Sequence, residues 1–197
     1  MIKKFKDFLV ESAVTLVDEL KLPNAGLVTQ QGKHNGSENM SLVLCDVKTK
    51  DVQAFVWLSR YFGDKDWQAL RMLGKDKTGP LMLQIALSTI HPEYIVPEHR
   101  IKPRALEMFR RLKDDPMYES KPIKKDHPLY QDSFEYDVNT PGKEDDLDVV
   151  NRAYRIKKPL ELKELLYRAS GKLDKKEQSN VVKMANKEFL AVYNDSL

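Results

Sequence analysis

The sequence predicts an α+β fold that is predominantly helical, with a small β-hairpin near residues 27–48. Apolar residues recur at helical spacing after Pro103 and again over residues 160–193, which predicts amphipathic helices there. The hairpin is predicted because two apolar runs flank a polar loop that contains Asn35-Gly36. With 197 residues and 41% hydrophobic residues, the chain is long enough to bury a core.

The first segment, residues 1–22, is predicted to be a leader-like helix. Its apolar spacing runs from Ile2 to Leu20, and Pro23 ends the pattern. One face of this helix carries Ile2, Phe5, Phe8 and Leu9. This face is expected to pack on another surface.

Residues 23–150 are predicted to form a helical body that contains the hairpin. After the hairpin, Asp51 is placed to cap a helix over residues 52–62, with Gly63 as its end. A second short helix is predicted from Asp66 to Gly74. The region from Val52 to Gly74 is therefore expected to be helical.

Further helices are predicted over residues 81–90 and after Pro103. Residues 114–145 are predicted to be an irregular, acidic segment with several prolines and one short strand, Phe134 to Val138. Residues 151–197 are assigned to a C-terminal helical pair. Its second helix begins with the Asp-x-x-Glu spacing of a capping box, which is formed by Asp174 and Glu177.

Although the net charge is only +3, the charges are grouped along the chain into a basic block, an acidic block and a second basic block. Residues 100–125 hold nine basic and four acidic side chains, residues 126–150 hold one and eight, and residues 151–187 hold eleven and four. Two basic groups are candidates for sequence-independent contact with DNA phosphates. They are Arg100, Lys102, Arg104, Arg110 and Arg111 in the first block, and Lys172, Lys175, Lys176, Lys183 and Lys187 in the third.

A catalytic reading rests on Asp46 and Lys48 at the end of a predicted strand. Together they have the Asp-x-Lys form of many metal-dependent nucleases, in which the acid binds the metal and the lysine orients water. Glu38, across the predicted hairpin, is the available second acid. A small nuclease that uses these three residues is therefore the enzymatic alternative.

Other chemistry finds little support in the sequence. His91, Glu93, Glu98 and His99 crowd together, but Pro92 and Pro97 prevent a helix from presenting them on one face. The P-loop, dinucleotide-binding and serine-hydrolase motifs do not occur. No metal and no cofactor are predicted. The single Cys45 favours a reducing compartment, and no apolar run approaches the ~20 residues that cross a bilayer, so no membrane partner is expected.

The first twelve residues are basic and aromatic and end in Leu-x-Glu before a small residue, Leu9-Val10-Glu11-Ser12. This segment resembles the leaders of prohead proteins in T4-like tailed phages, which a phage-encoded prohead protease cuts after Leu/Ile-x-Glu. The resemblance implies that Leu9 is the recognition residue, Glu11 the residue cut after, and Ser12 the new N-terminus. A weaker similarity joins residues 50–57 to an aromatic segment of the internal head proteins of these phages.

The resemblance implies a non-enzymatic protein of the virion that is packaged inside the phage head with DNA and delivered to the host cytoplasm. Expected partners are the prohead core or capsid proteins, non-specific DNA and a host protein. A third reading, beside this one and the nuclease, is a host-directed interaction protein that binds through the acidic residues 126–150.

Overall fold

The computed structural model describes residues 13–34, 36–61, 64–75, 77–98, 100–137 and 140–194. The strands are β1 (Ala25–His34), β2 (Ser37–Asp46), β3 (Val52–Tyr61), β4 (Trp67–Gly74), β5 (Ile95–Pro97), β6 (Tyr118–Pro122), β7 (Glu135–Asp137), β8 (Thr140–Pro141) and β9 (Arg152–Ile156). The helices are α1 (Ala13–Glu19), α2 (Thr78–Thr89), α3 (Pro103–Asp114), α4 (Leu147–Val150), α5 (Lys163–Lys172) and α6 (Lys175–Asn194), with a 3-10 turn at Glu144–Asp146.

Seven strands form one mixed sheet in the order β1-β2-β3-β4-β5-β9-β6. The first four strands are an antiparallel meander, and α2 then crosses over to place β5 parallel to β4. β9 pairs antiparallel with both β5 and β6. The prediction of a predominantly helical fold with one small hairpin is therefore wrong. The hairpin exists, but it is the edge of a seven-stranded sheet.

The largest error concerns the region from Val52 to Gly74, which was expected to be helical and forms β3 and β4. β3 is apolar on consecutive residues because both faces of the sheet are covered, so it lacks the alternation of a half-exposed strand. Its Phe55 packs on the side of α5 and α6, whereas Val56 packs on the side of α2. A short apolar run of this kind fits a buried strand and a buried helix equally well.

Two apolar layers cover the meander. The larger core includes residues from all parts of the chain, such as Val17 of α1, Leu42 of β2 and Leu165 of α5. The second core lies between the sheet and the two C-terminal helices. The α5 helix approaches β1 so closely that a Cβ on Gly26 would lie 3.0 Å from the backbone nitrogen of Ala169, which explains the absence of a side chain there.

Several predicted elements are present. Helices occur at residues 78–89 and 103–114, and the C-terminal helices are confirmed as α5 and α6. The segment predicted to be irregular contains β6 and the short pair β7 and β8. Of the predicted helix from Ile2 to Leu20, α1 accounts for Ala13–Glu19, while Leu9, Glu11 and Ser12 lie outside the described residues.

Candidate nucleic-acid interface

The basic residues on and before α3 are largely neutralised. Arg110 bonds to the carboxylates of Glu107 and Asp146, and Arg111 Nε lies 3.2 Å from Glu107 Oε1. Arg100 Nε lies 3.3 Å from Glu135 Oε2. Because their charges are matched by nearby acids, these three arginines offer little free positive charge to a phosphate.

Lys102 and Arg104 complete this group and lie at the exposed start of α3. Lys102 precedes the helix and Arg104 lies in its first turn, at the end whose dipole favours an anion. By contrast, Arg100 and Arg110 pair with acids of residues 126–150, and Arg111 pairs with Glu107 of α3 itself.

Asp146 is the acid that links this acidic segment to α3. Burial raises the pKa of its carboxyl, but hydrogen bonds from the Tyr136 hydroxyl and from Arg110 outweigh burial and hold the pKa below its ordinary value. Asp148 similarly contacts Lys113 and Arg152. These acids stabilise the fold, which leaves the exposed Asp126, Asp132, Glu144 and Asp145 as the free part of the acidic segment.

The predicted lysines of the two C-terminal helices differ from the α3 arginines in their exposure and in their lack of ion pairs among the described residues. Over the described ranges, none of the five predicted lysines forms an ion pair, and all five are exposed: Lys172, Lys175, Lys176, Lys183 and Lys187. The opposite side of α6 packs Val181, Val182 and Ala185 on the sheet. The helix therefore has a firm inner face and a charged outer face.

The spacing along α6 aligns these charges. Lys183 and Lys187 follow Lys176 by seven and eleven residues, close to two and three helical turns. The three ammonium groups therefore lie in one stripe about 16 Å long, since each residue advances the helix by about 1.5 Å. Lys172 and Lys175 extend the same surface beyond the start of α6.

The acidic residues of the same two helices form salt bridges with cations other than these five lysines. Glu164 bonds to Arg168, Glu177 to Lys50, and Glu188 to Lys75. The start of α6 is fixed by the predicted capping box, in which Asp174 N–H donates to Glu177 at 3.0 Å and Glu177 N–H donates to Asp174 at 2.8 Å. The acids that would otherwise neutralise the lysine stripe are thus already paired.

The three residues of the nuclease reading are not brought together. Glu38 and Asp46 lie eight residues apart on the same strand, β2, a separation of roughly 26 Å. Glu38 pairs with Arg60, while the Asp46 carboxylate accepts hydrogen bonds from the backbone N–H groups of Lys48 and Thr49 at 2.7 and 3.0 Å. Asp46 and Lys48 therefore form a turn at the end of the hairpin and share no pocket with Glu38.

One polar network was not anticipated from the sequence. Arg60 of β3 bonds to Glu38 at 2.8 Å and to Glu93 at 2.6 Å, and its guanidinium lies 4.5 Å from the centre of the Trp67 ring. The Trp67 indole donates to Glu93 at 2.6 Å. The network borders a cleft of about 690 Å³. The residues that its hydrogen bonds join are 22 to 33 residues apart in sequence, so no local motif marks them.

Within the part of the chain that the structure describes, no three His, Cys, Asp or Glu side chains are grouped to hold a metal ion. Of the crowded histidines and glutamates, His91 and Glu93 border the cleft of about 690 Å³ and Glu98 lines a separate cavity, while His99 lies outside the described residues. Cys45 is fully buried, and burial raises the pKa of its thiol to about 12. Over those same residues, no helix combines the length and apolar character of a membrane span.

No protein-family model, curated protein or solved structure matches this chain significantly.

Proposed function

We propose that the protein is a non-enzymatic, virion-associated phage protein that contacts DNA through the outer face of α5 and α6. The observation that carries the proposal is the contrast between the two basic groups. The arginines of α3 are paired with acids, whereas the lysines of the C-terminal helices are exposed and unpaired among the described residues. Unpaired cations release counterions from DNA when they bind phosphate, which drives sequence-independent association.

The phage assignment rests on the resemblance of residues 1–12 to prohead leaders. It brings with it the expected partners, the prohead core or capsid proteins, and the expected location in the phage head and then the host cytoplasm. A packaged protein meets DNA at high density, where weak contacts with phosphate are sufficient. The lysine stripe suits that setting, since its regular spacing needs no base-reading side chain.

The experiment compares two variants with the same change in net charge. In the first, Lys176, Lys183 and Lys187 become glutamine. In the control, Lys65, Lys124 and Lys125, three exposed lysines elsewhere on the surface, become glutamine. Each variant loses three positive charges, so the formal net charge falls from +3 to zero in both.

Binding to a fluorescein-labelled 30-base-pair duplex is then measured by anisotropy at low salt. The stripe variant is expected to bind at least about tenfold more weakly than the control, because it loses three phosphate contacts. Equal weakening of both variants would show that only net charge matters, and it would remove the assigned face. Intact mass of the protein from mature particles tests the phage setting, since the resemblance requires an N-terminus at Ser12.

A further inference from the structure

A groove lies along one edge of β4, the edge that faces away from β3. Five consecutive residues, 69–73, line it. These residues span a β-bulge, because the register with β3 shifts at Leu70. Ala69 and Met72 pack toward one core and Leu73 toward the other, so a groove lined by all of them lies at the edge of the strand. Its two walls agree with this placement, because Phe109 belongs to the core on one face and Phe189 to the core on the other.

Among the described residues, the outer edge of β4 has no strand partner from Leu70 onward. β5 pairs with β4 only at Trp67, Gln68 and Ala69, whereas the ladder with β3 continues to Gly74. Among the described residues, no strand pairs with the outer edge of residues 70–74. Alternate residues of a strand direct their N–H and C=O groups to each edge, so this stretch presents two or three residues for main-chain hydrogen bonding.

The walls of the groove are apolar and partly open. Ala105 and Phe109 of α3 form one wall, and the last turns of α6 form the other. On α6, Leu190 is 43% exposed and Val192 is 52% exposed. The cavity has a volume of about 330 Å³, enough for a few side chains of an extended segment.

The charge of the groove favours an acidic occupant. Arg71 and Lys102 line it together with one carboxyl group, that of Glu98, while the third cation in the lining, Arg100, already pairs with Glu135. The Arg71 guanidinium lies between the Trp57 and Phe189 rings, 4.5 and 5.6 Å from their centres. It bonds to the Asn186 amide oxygen at 3.4 Å and forms no salt bridge over the described ranges, although the Glu98 carboxyl is close enough to interact with it electrostatically.

We propose that this groove binds an extended peptide segment of a partner protein, which adds a strand to the free edge of β4 and places an acidic side chain opposite Arg71. Main-chain hydrogen bonds hold such a segment, and its alternate side chains enter the apolar walls. The acidic residue supplies a carboxylate for a salt bridge with Arg71. This site is separate from the lysine stripe, so it goes beyond contact with DNA.

The probe is an acetylated, fluorescein-labelled octapeptide that alternates valine with aspartate and threonine. Two matched peptides accompany it. In one, lysine replaces aspartate, and in the other, alternate backbone nitrogens are methylated so that they cannot pair with a strand. Anisotropy is measured with the full-length protein. The aspartate peptide is expected to bind saturably, and each matched peptide at least about tenfold more weakly.

Three protein variants locate the binding. Leu190→Asp places a charge on the wall of the groove, and its control Leu166→Asp changes an apolar side chain on α5 that is 37% exposed. Only Leu190→Asp is expected to abolish binding of the aspartate peptide. Arg71→Met is expected to remove the preference for aspartate over lysine. The glutamine variant of Lys176, Lys183 and Lys187 is expected to bind the peptide as the wild type does.

The proposal is overturned if the aspartate peptide does not bind at 1 mM, or if the methylated peptide binds equally well. These two results use the wild-type protein, so they do not depend on how a variant folds. It is also overturned if the lysine-stripe variant loses the peptide, because the peptide would then be binding to the DNA-contacting face.

Discussion

The carboxylate of Asp146 bonds to the guanidinium of Arg110, and this pair joins the acidic segment to α3. The acidic and basic blocks of the sequence are therefore not two independent surfaces. Where they meet, their charges neutralise each other and fix the position of the 3-10 turn that contains Asp146. Of the two predicted basic groups, the one on the C-terminal helices is the one whose lysines form no ion pair over the described ranges.

Asp146→Asn is expected to destabilise the protein by about 1–2 kcal/mol, because Arg110 and Tyr136 lose a charged partner. The pKa of Asp146 is lowered in the folded state, so its contribution is present above the ordinary value of 3.8 and is lost as the pH falls below it. Urea unfolding at pH 7 and pH 3 measures both effects. A difference between wild type and variant that stays as large at pH 3 as at pH 7 would contradict this account.

Arg60→Met is expected to lower the free energy of unfolding by about 1–2 kcal/mol. The variant leaves Glu38 and Glu93 without their shared cation, and their side chains are only 30% and 38% exposed. Methionine keeps a flexible side chain over the Trp67 ring. Adding Glu93→Gln to this variant is expected to recover part of the lost free energy of unfolding. A further decrease would show that the Arg60 cation is not what stabilises Glu38 and Glu93.

Glu98→Gln is expected to change how stability depends on pH. Burial raises the pKa of the Glu98 carboxyl to about 7, while Arg100 and Arg71 act in the opposite direction. The folded protein therefore holds this proton more tightly than the unfolded chain. The contribution is present below the ordinary value of 4.5 and is lost as the pH rises through 7.

Thermal unfolding between pH 5 and pH 8 measures this dependence. The wild type is expected to lose about 1–2 kcal/mol relative to Glu98→Gln over that range, after allowance for the exposed part of the side chain. Glu144→Gln changes an exposed carboxyl and is the matched control. A control that shifts as much as Glu98→Gln would disprove the assignment to Glu98.

Only Ser12 separates the bond after Glu11 from Ala13, whose side chain is fully buried and whose N–H donates to the Glu161 carbonyl at 3.2 Å. A protease binds several extended residues on each side of the bond that it cuts. Cleavage in the folded protein is therefore expected to require α1 to leave the core, which makes its rate depend on local stability.

Val17→Ala, in the buried face of α1, is expected to speed cleavage after Glu11 by a glutamate-specific endoproteinase about 5- to 30-fold, since it removes about 1–2 kcal/mol of packing. The half-exposed Val192 provides the matched control as Val192→Ala. Mass spectrometry of the fragment that begins at Ser12 gives the rate. Equal rates in wild type and Val17→Ala would show that α1 does not protect the bond.

The sequence predicts helices well where one face is exposed and fails where both faces of a strand are covered. α3 repeats its apolar residues at helical spacing because Leu106, Phe109 and Leu112 are buried and Ala105 and Met108 pack beside them, while the opposite face is open to water. β4 instead consists of residues with high helix propensity, such as Ala69, Leu70 and Met72. It is a strand because it pairs with β3 and β5, and those tertiary contacts override local preference.

The same distinction applies to the candidate interface. The basic stripe of α6 was predictable, since Lys176, Lys183 and Lys187 repeat with the helix. The neutralisation of Arg110 was not, because its partner Asp146 is 36 residues away and the contact depends on how α3 packs. The free edge of β4 was likewise not predictable, since a free edge can be identified only once the order of the strands is known.

The central claim is that the α6 stripe contacts DNA phosphates, and the salt dependence of binding tests it most directly. Each phosphate contact contributes about 0.9 to the slope of log K against log salt concentration for duplex DNA. The account predicts that glutamine at Lys176, Lys183 and Lys187 reduces the slope by about 2 to 3, while glutamine at Lys65, Lys124 and Lys125 leaves it unchanged. An unchanged slope in the stripe variant would contradict the account.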